Sequence, residues 1–519
     1  MEPVQVLWAV SEMATDLSPH VYQGTAATSP FAYQLGSTLT TYDIGTLAGN
    51  GCDEVNGPGS ISGDLAESWE TNADGTVITF NLRRGVMSAY GNELTSADVL
   101  WSLEYDFELD GIAKFLFFIA TNFEGGGEGQ GVNDLITVID DYTFEYHLKS
   151  PTPIDLAILE HWSMRIVDST EAKKNVTADD PWATEWLAVN GAYFGPWTFG
   201  PDDFKPGERL TLRANPNFYG DRGNADSVVM FVVPDAGTRV QLLQSGEADF
   251  ADALSLDQFT TLKGADGVTV RECLGTTRDI LFLNFADERF QDLRVRSAIS
   301  LALDRNAIAQ GAFLGLAKPS VGGVHGAYFP DGAPVLAPYV RDLDAARALL
   351  ADAGYTDLSF TLTYSPVEPG PWAEQLALLV QAQLAEAGIT VELERLATAG
   401  EYTDRLRAGE VEAYPYGQNP AINSVYYSML QSNKTGSFTN YHGYTSEEFE
   451  GLLQQMDEAV GQTALDDLRN LSHQFMADDL PEIALVERLN VSAYSSAISD
   501  LNSYGNVEFG DMFLLNKNG

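Results

Sequence analysis

An α/β fold of two or three domains is predicted from three observations. Residues 227–246 read as a strand running directly into a helix. A continuous β-branched apolar run (227–233) is followed by Asp235 at an N-cap position, then by helical spacing through Val240, Leu242 and Leu243 that stops at Gly246. Residues 360–396 read as strand, helix and strand (360–364, 372–387, 389–396), with Gly388 as the break, which is the pattern of a parallel crossover. The length, 519 residues, exceeds what one hydrophobic core supports.

Taken in order, residues 4–10 form a buried-strand pattern, residues 11–19 are turn-rich, and residues 39–44 form a second strand. Residues 50–63, with four glycines, Cys52 and Pro58, read as a loop insertion. Asp74-Gly75 marks a hairpin turn, after which Val77, Thr79 and Asn81 alternate with Ile78, Phe80 and Leu82. Thr95 with Asp98 is a capping-box pair opening an amphipathic helix through Leu100 and Leu103. Residues 143–148 are the strand expected to close a smaller sheet. Runs at 193–199 and 209–213 flank a turn with Pro201, Pro206 and Gly207, predicting a hairpin with a long loop. Further on, 280–283 is a strand, 293–313 one helix, and 343–354 another. Residues 412–423 form a loop, two amphipathic helices begin at Ser446, and 483–487 is a strand.

Composition narrows the function. With 29 basic against 74 acidic residues, the formal charge is −45, which repels nucleic acid and anionic lipid and favours solubility; a salty or acidic habitat explains it better than a cationic ligand does. The acids are dispersed and form no block that would make a disordered tail. No apolar run is long enough to span a bilayer. The six histidines never recur at metal-ligand spacing, and the two cysteines form no Cys-x-x-Cys pair, so no metal is expected. Residues 125–131 are glycine-rich but lack the Lys-Ser/Thr of a nucleotide loop. No nucleophile elbow or His-Glu-x-x-His occurs, so no catalytic residue and no cofactor are expected.

Several strings resemble the family 5 extracellular solute-binding proteins, the dipeptide- and oligopeptide-binding group that serves ABC importers. They are Gly195-Pro196, Asn215-Pro216, Tyr219-Gly220, Pro234-Asp235, Thr238-Arg239 and Gly246-Glu247 with Asp249. Leu65-Ala66 with Trp69, Leu82-Arg83, Gly85-Val86, and the run DLRVRSAISLALDR at 292–305 add to them. The resemblance covers roughly residues 35–500. It implies a periplasmic-binding-protein-like α/β fold with mixed sheets, bilobal in outline and built of three domains, with an interdomain ligand cleft. Lobe I would comprise 1–46, 190–275 and 490–519; lobe II 47–189, smaller and β-rich; lobe III 276–489. Asp292, Arg294, Arg296, Asp304 and Arg305 would form surface ion pairs of structural role.

The ligand contacts that the resemblance implies are Tyr22, Trp162, Arg278, Tyr328, Trp372, Tyr416, Gln418 and Asn419. Aromatic platforms and a few placed polar groups are what a binding cleft needs. Where peptide-binding members commonly carry an Asp that pairs with the peptide α-amine, this chain has Asn419, an amide that keeps hydrogen bonding but loses the charge. Two readings of the ligand stay open: a peptide whose amine is met by another acid, or a neutral ligand such as an oligosaccharide. A secreted hydrolase is a third reading, from another class. The resemblance further implies a monomer working outside the cytoplasm, periplasmic or lipid-anchored, with membrane permease subunits as partners. Met1 is then an added start on a signal-stripped chain. In an exported protein, Cys52 and Cys273 are candidates for one disulfide, two separate buried thiols being the alternative.

Overall fold

The strand Gln5–Val10 pairs in parallel with Ser227–Val232 in unbroken register from Gln5↔Ser227 to Val10↔Val232, and on its other side with Phe250–Ala251. These pairings and those below come from a computed structural model, which describes residues 3–20, 34–42, 52, 61–109, 111, 113, 114, 116, 117, 132–329, 332–459, 462–501 and 512–518. The chain divides into two units. The first comprises Met1–Glu54, Ser60–Cys273 and Val491–Gly519, the second Val55–Gly59 and Leu274–Asn490. Both chain ends therefore lie in the unit that holds Ser227–Val232, and the residues assigned above to lobes I and II fall in that unit except 55–59, 274, 275 and 490.

In the first unit the parallel trio is extended by Arg209–Ala214, antiparallel to Ser227–Val232, and then by Trp197–Thr198. The long hairpin loop contains a strand of its own, Phe204–Lys205, on the same partner. Ser227–Val232 is not covered on both faces as the apolar run suggests: Val229, Phe231 and Val232 are only half-buried. Val6, Trp8, Leu210, Leu212, Val228, Met230 and Phe250 make the core. A second, antiparallel sheet runs Ala66–Thr71, Val77–Leu82, Thr143–His147, Ile136–Asp140. The strand Thr143–His147 is thus interior, and Ile136–Asp140, unread in the sequence, is the edge. Thr95 and Asp98 form the expected capping box of the helix Ser96–Glu108.

The motif residues are explained by the ends of the parallel strands. Asp235 accepts the Thr238 N–H at 2.8 Å and caps the helix Ala236–Ser245, and Gly246 ends it at φ 75°, a conformation that favours glycine. Arg239, buried, donates to the carbonyls of Val233, Pro234, Asp252 and Ala253, tying the ends of two neighbouring segments together. Asp249 accepts from the Leu7 N–H and from Lys517 Nζ, fastening the C-terminal segment to the first strand.

In the second unit, Thr390–Arg395 and Ser359–Tyr364 are parallel, as the crossover pattern predicts, and are joined by the helix Ala373–Glu386. Ala413–Gln418 lies parallel to Ser359–Tyr364 and antiparallel to the second half of Val268–Leu283. The segment read as a loop at 412–423 therefore contains a strand. The helix expected at 293–313 is two, Leu293–Ala302 and Arg305–Gly311, because Asp304 accepts the Ala307 N–H and starts a new N-terminus. Its arginines are also not all at the surface. Arg294 pairs with Asp292 in solvent, but Arg296 and Arg305 are buried and donate to main-chain carbonyls.

Cys52 and Cys273, both in the first unit, are joined by a disulfide that closes a separation of 221 residues. Cross-linking so long a loop restricts the unfolded chain strongly. The double variant Cys52→Ser/Cys273→Ser is expected to lose about 2–5 kcal/mol in a denaturant melt; unchanged stability would mean that the bridge constrains nothing that unfolding releases.

Candidate functional site

A group of charged, amide and aromatic side chains gathers in the second unit, around the strand Ala413–Gln418. Opposite it, the Val268–Leu283 strand sets Arg278 against Gln418 and Asp279 against Gly417. An arginine and an aspartate in succession send their side chains to opposite faces of the sheet.

On one face Arg278 is buried. Its Nη2 meets Glu482 Oε1 at 2.5 Å, its Nε donates to Gln418 Oε1 at 2.6 Å, and its Nη1 donates to the Gly323 carbonyl. Glu482 also accepts from Asn433 Nδ2 at 2.8 Å. Burial raises the pKa of the Glu482 carboxyl, with Arg278 opposing. Gln418 completes the network by donating to the Ser428 carbonyl at 2.9 Å and to Ser432 Oγ. Tyr328 is buried in a 3₁₀ turn within electrostatic reach of Arg278. Three of the expected ligand residues are therefore held in a polar core.

On the other face Asp279 and Trp372, both buried, pack with Gly417 and the partly exposed Arg488. Arg488 Nε is 3.0 Å from Asp279 Oδ2, and the guanidinium lies over the Trp372 ring at 5.2 Å from its centroid. Gly417 makes this possible: a Cβ there would be 2.6 Å from Arg488 Nη2, 3.5 Å from Asp279 Oδ1 and 3.6 Å from Trp372 Cζ2. Asp279 is fully buried, and desolvation pushes its pKa up to about 7 against the pull of Arg488. Arg488 keeps 30% of its side chain exposed. At the end of the strand Asn419 is exposed, its Oδ1 accepting from Thr277 Oγ1 at 3.0 Å. Tyr416, two residues before Gln418, is on the Arg278 face instead, half-buried with its ring 5.8 Å from that of Phe282. Glu368, on the segment 365–372, is exposed as a residue, and desolvation raises its carboxyl pKa against the pull of Arg488.

Of the remaining expected contacts, Trp162 lies in the first unit's core, 6% exposed, with the Arg165 guanidinium 5.9 Å from its ring centroid. Tyr22 lies outside the described residues. The second unit thus brings Trp372 together with Asp279 and Arg488, sets Asn419 at the end of the strand and Tyr416 on its opposite face, and leaves Glu368 within electrostatic reach of Arg488; sequence reasoning missed Asp279, Arg488 and Glu368. A signal for two of them was present: Asp279 and Arg488 interrupt otherwise apolar strand runs, RDILFL and IALVERL. Among the described residues no group of three or more His, Cys, Asp or Glu is placed to hold a metal. One partly exposed cation and an exposed neutral amide suit recognition of a polar ligand.

The two faces differ in what their loss should cost. Arg278→Ala, which strands the buried Glu482, is expected to destabilise the unliganded protein by about 3–5 kcal/mol. Asn419→Ala at the exposed rim should change it by no more than about 0.5 kcal/mol. Thermal or denaturant melts check both, and equal effects would contradict the assignment of the two faces.

Residues 60–440 match the family model described as bacterial extracellular solute-binding proteins, family 5 Middle. The chain is 27% identical over 439 residues to the probable D,D-dipeptide-binding periplasmic protein DdpA of Escherichia coli, covering 84% of this chain and 81% of that one. It is 26% identical over 454 residues to the dipeptide-binding protein of the same organism, covering 84% and 82%. HbpA2 from Haemophilus parasuis shares its fold, with a TM-score of 0.82, 20% identity, and coverage of 99% and 100%. The protein is accordingly a solute-binding component of an ABC importer rather than an enzyme, and it works outside the cytoplasm. The chain belongs to the bacterial extracellular solute-binding proteins of family 5.

Proposed function

We propose that this protein captures a short peptide at Arg488 and Asn419 of the second unit and passes it to the permease subunits of its importer. The observation that carries the reading is the partly exposed Arg488, held between Asp279 and the Trp372 ring, with the exposed Asn419 at the end of the strand Ala413–Gln418. A partly exposed guanidinium and an exposed side-chain amide match the carbonyls and N–H groups of an extended peptide. Trp372, Tyr416 and Asn419 are the proposed contacts here, and Tyr22 and Trp162 are proposed from the first unit. Arg278, Gln418 and Tyr328 are proposed to position the strand rather than to touch the ligand, since the hydrogen-bonding groups of Arg278 and Gln418 are spent inside the fold. The relatives' names support the peptide class. A monomer, either free in the periplasm or lipid-anchored, and a division into three lobes belong to the same proposal.

One observation favours a second reading. The exposed rim position is Asn419, a neutral amide, and with the half-buried Tyr416 it would also suit an oligosaccharide.

Thermal-shift and calorimetric titration with a panel of short peptides and a panel of neutral oligosaccharides separates the two, because a ligand bound to the native state raises apparent stability. Peptides are expected to raise Tm and sugars to leave it unchanged; the reverse would favour the second reading. Asn419→Asp is expected to tighten binding of peptides with a free α-amine, and an unchanged affinity would remove Asn419 from the contact set.

A further inference from the structure

We propose that Asn175 carries an N-linked glycan, and that it is the one of the chain's four acceptor sequences that the fold presents for modification. The pattern Asn-x-Ser/Thr occurs at 175–177, 433–435, 470–472 and 490–492. The protein works outside the cytoplasm, where such acceptors meet their donor. A three-residue pattern recurs by chance in a chain of 519 residues, so the pattern alone decides nothing. What decides is whether the side-chain amide and the hydroxyl two residues on can be reached together.

Three of the four fail that condition. Asn433 is fully buried, and its Nδ2 donates to Glu482 Oε2 at 2.8 Å. Asn470 is exposed but lies within the helix Gln462–Asp479, where residues two apart do not share a face. Its partner Ser472 is accordingly buried, with Oγ donating to the Leu468 carbonyl at 2.7 Å. Asn490 lies within the strand Ile483–Ser495, and its partner Ser492 is buried in the fold.

Asn175 meets the condition. It ends the 3₁₀ turn Lys173–Asn175, after which the backbone leaves extended, with Val176 at φ −65° and ψ 139°. Val176, Thr177, Ala178 and Asp179 are all exposed. Asn175 is half-buried, and its Nδ2 donates only to the Glu171 carbonyl, at 3.1 Å, a bond at a turn end that water can replace. Thr177 Oγ1 accepts the Asp180 N–H at 3.0 Å, which orients the hydroxyl and leaves its proton to donate. Asp180 in turn accepts from the N–H groups of Thr184 and Glu185, so the exposed acceptor is held by a fixed turn. A glycan there would also shield the apolar Val176 side chain, which stands 40% exposed.

The donor class is an oligosaccharide joined through phosphate to a lipid. In the transfer, the Asn175 amide nitrogen forms a bond to the anomeric carbon of the first sugar. The bond from that carbon to the phosphate oxygen breaks, its electron pair leaves on the lipid phosphate, and the amide gives up one proton.

The test is mass spectrometry of peptides from the protein purified from the cells that produce it, as the wild type, Thr177→Ala and Thr177→Ser. The wild-type peptide containing Asn175 should be heavier by whole sugar residues, and those containing Asn433, Asn470 and Asn490 should have their unmodified masses. Thr177→Ala should lose the added mass entirely. Thr177→Ser, which keeps both the acceptor pattern and a hydroxyl for Asp180, should retain it. Equal melting temperatures of the two variants, once the glycan is removed enzymatically, show that folding is not the cause of the loss. An unmodified Asn175 in the wild type, a glycan on any of the other three asparagines, or a glycan that persists in Thr177→Ala would overturn the proposal.

Discussion

A buried guanidinium has five N–H donors and a charge that cannot be shed, so a fold that buries one must bring acceptors to it. This chain does so repeatedly, and the acceptors are mostly main-chain carbonyls at the ends of strands and helices. Such carbonyls lack partners within their own element and sit at its partially negative end. Arg239 gathers the carbonyls that follow Ser227–Val232 and Phe250–Ala251. Arg296 gathers those ending Glu288–Gln291 and Gln462–Asp479, at Phe290, Gln291, Asp479 and Leu480. Arg305 takes those of Ser300 and Ala484. Each guanidinium fixes where two or three elements end relative to one another, within its own unit.

Arg278 departs from this pattern, and the face that carries Arg488 depends on the departure. It takes one carbonyl, from Gly323, but answers its charge with Glu482 and its remaining donor with Gln418. Gln418 is thereby held from both sides, and the strand that carries Tyr416, Gly417 and Asn419 acquires a fixed register against Val268–Leu283. On the reverse of that strand, the missing side chain of Gly417 lets Arg488 lie flat between Trp372 and Asp279. One buried polar network thus builds one face, and one glycine opens the other.

What the sequence made legible was local. Thr95 with Asp98, and Asp235 ahead of Thr238, act over three residues, and the structure has those caps. The parallel pair Ser359–Tyr364 and Thr390–Arg395 followed from a strand–helix–strand pattern that few other arrangements satisfy. The strand Ala413–Gln418 was hidden by Pro415 and Gly417, which read as turn residues. It tolerates them because its edge toward Ser359–Tyr364 is paired only at Ala413, and because Gly417 is needed against Arg488. The break at Asp304 was hidden by apolar periodicity that continues across it. Arg278 could be picked out as important, but its role lay in Glu482, 204 positions away, which no periodicity links to it. Asp279, Arg488 and Glu368 were invisible as a group for the same reason: they come from three separate segments.

The central claim is that ligand recognition in this protein includes the rim formed by Trp372, Arg488 and Asn419. A crystal structure of the protein with a bound peptide tests it most directly. The account predicts ligand atoms in van der Waals contact with the Trp372 or Tyr416 ring, and within hydrogen-bond distance of Asn419 or Arg488. A peptide seated elsewhere, for example in the groove of about 860 Å³ lined by Phe204, Arg209 and Phe231 in the first unit, with that rim left open to solvent, would contradict it.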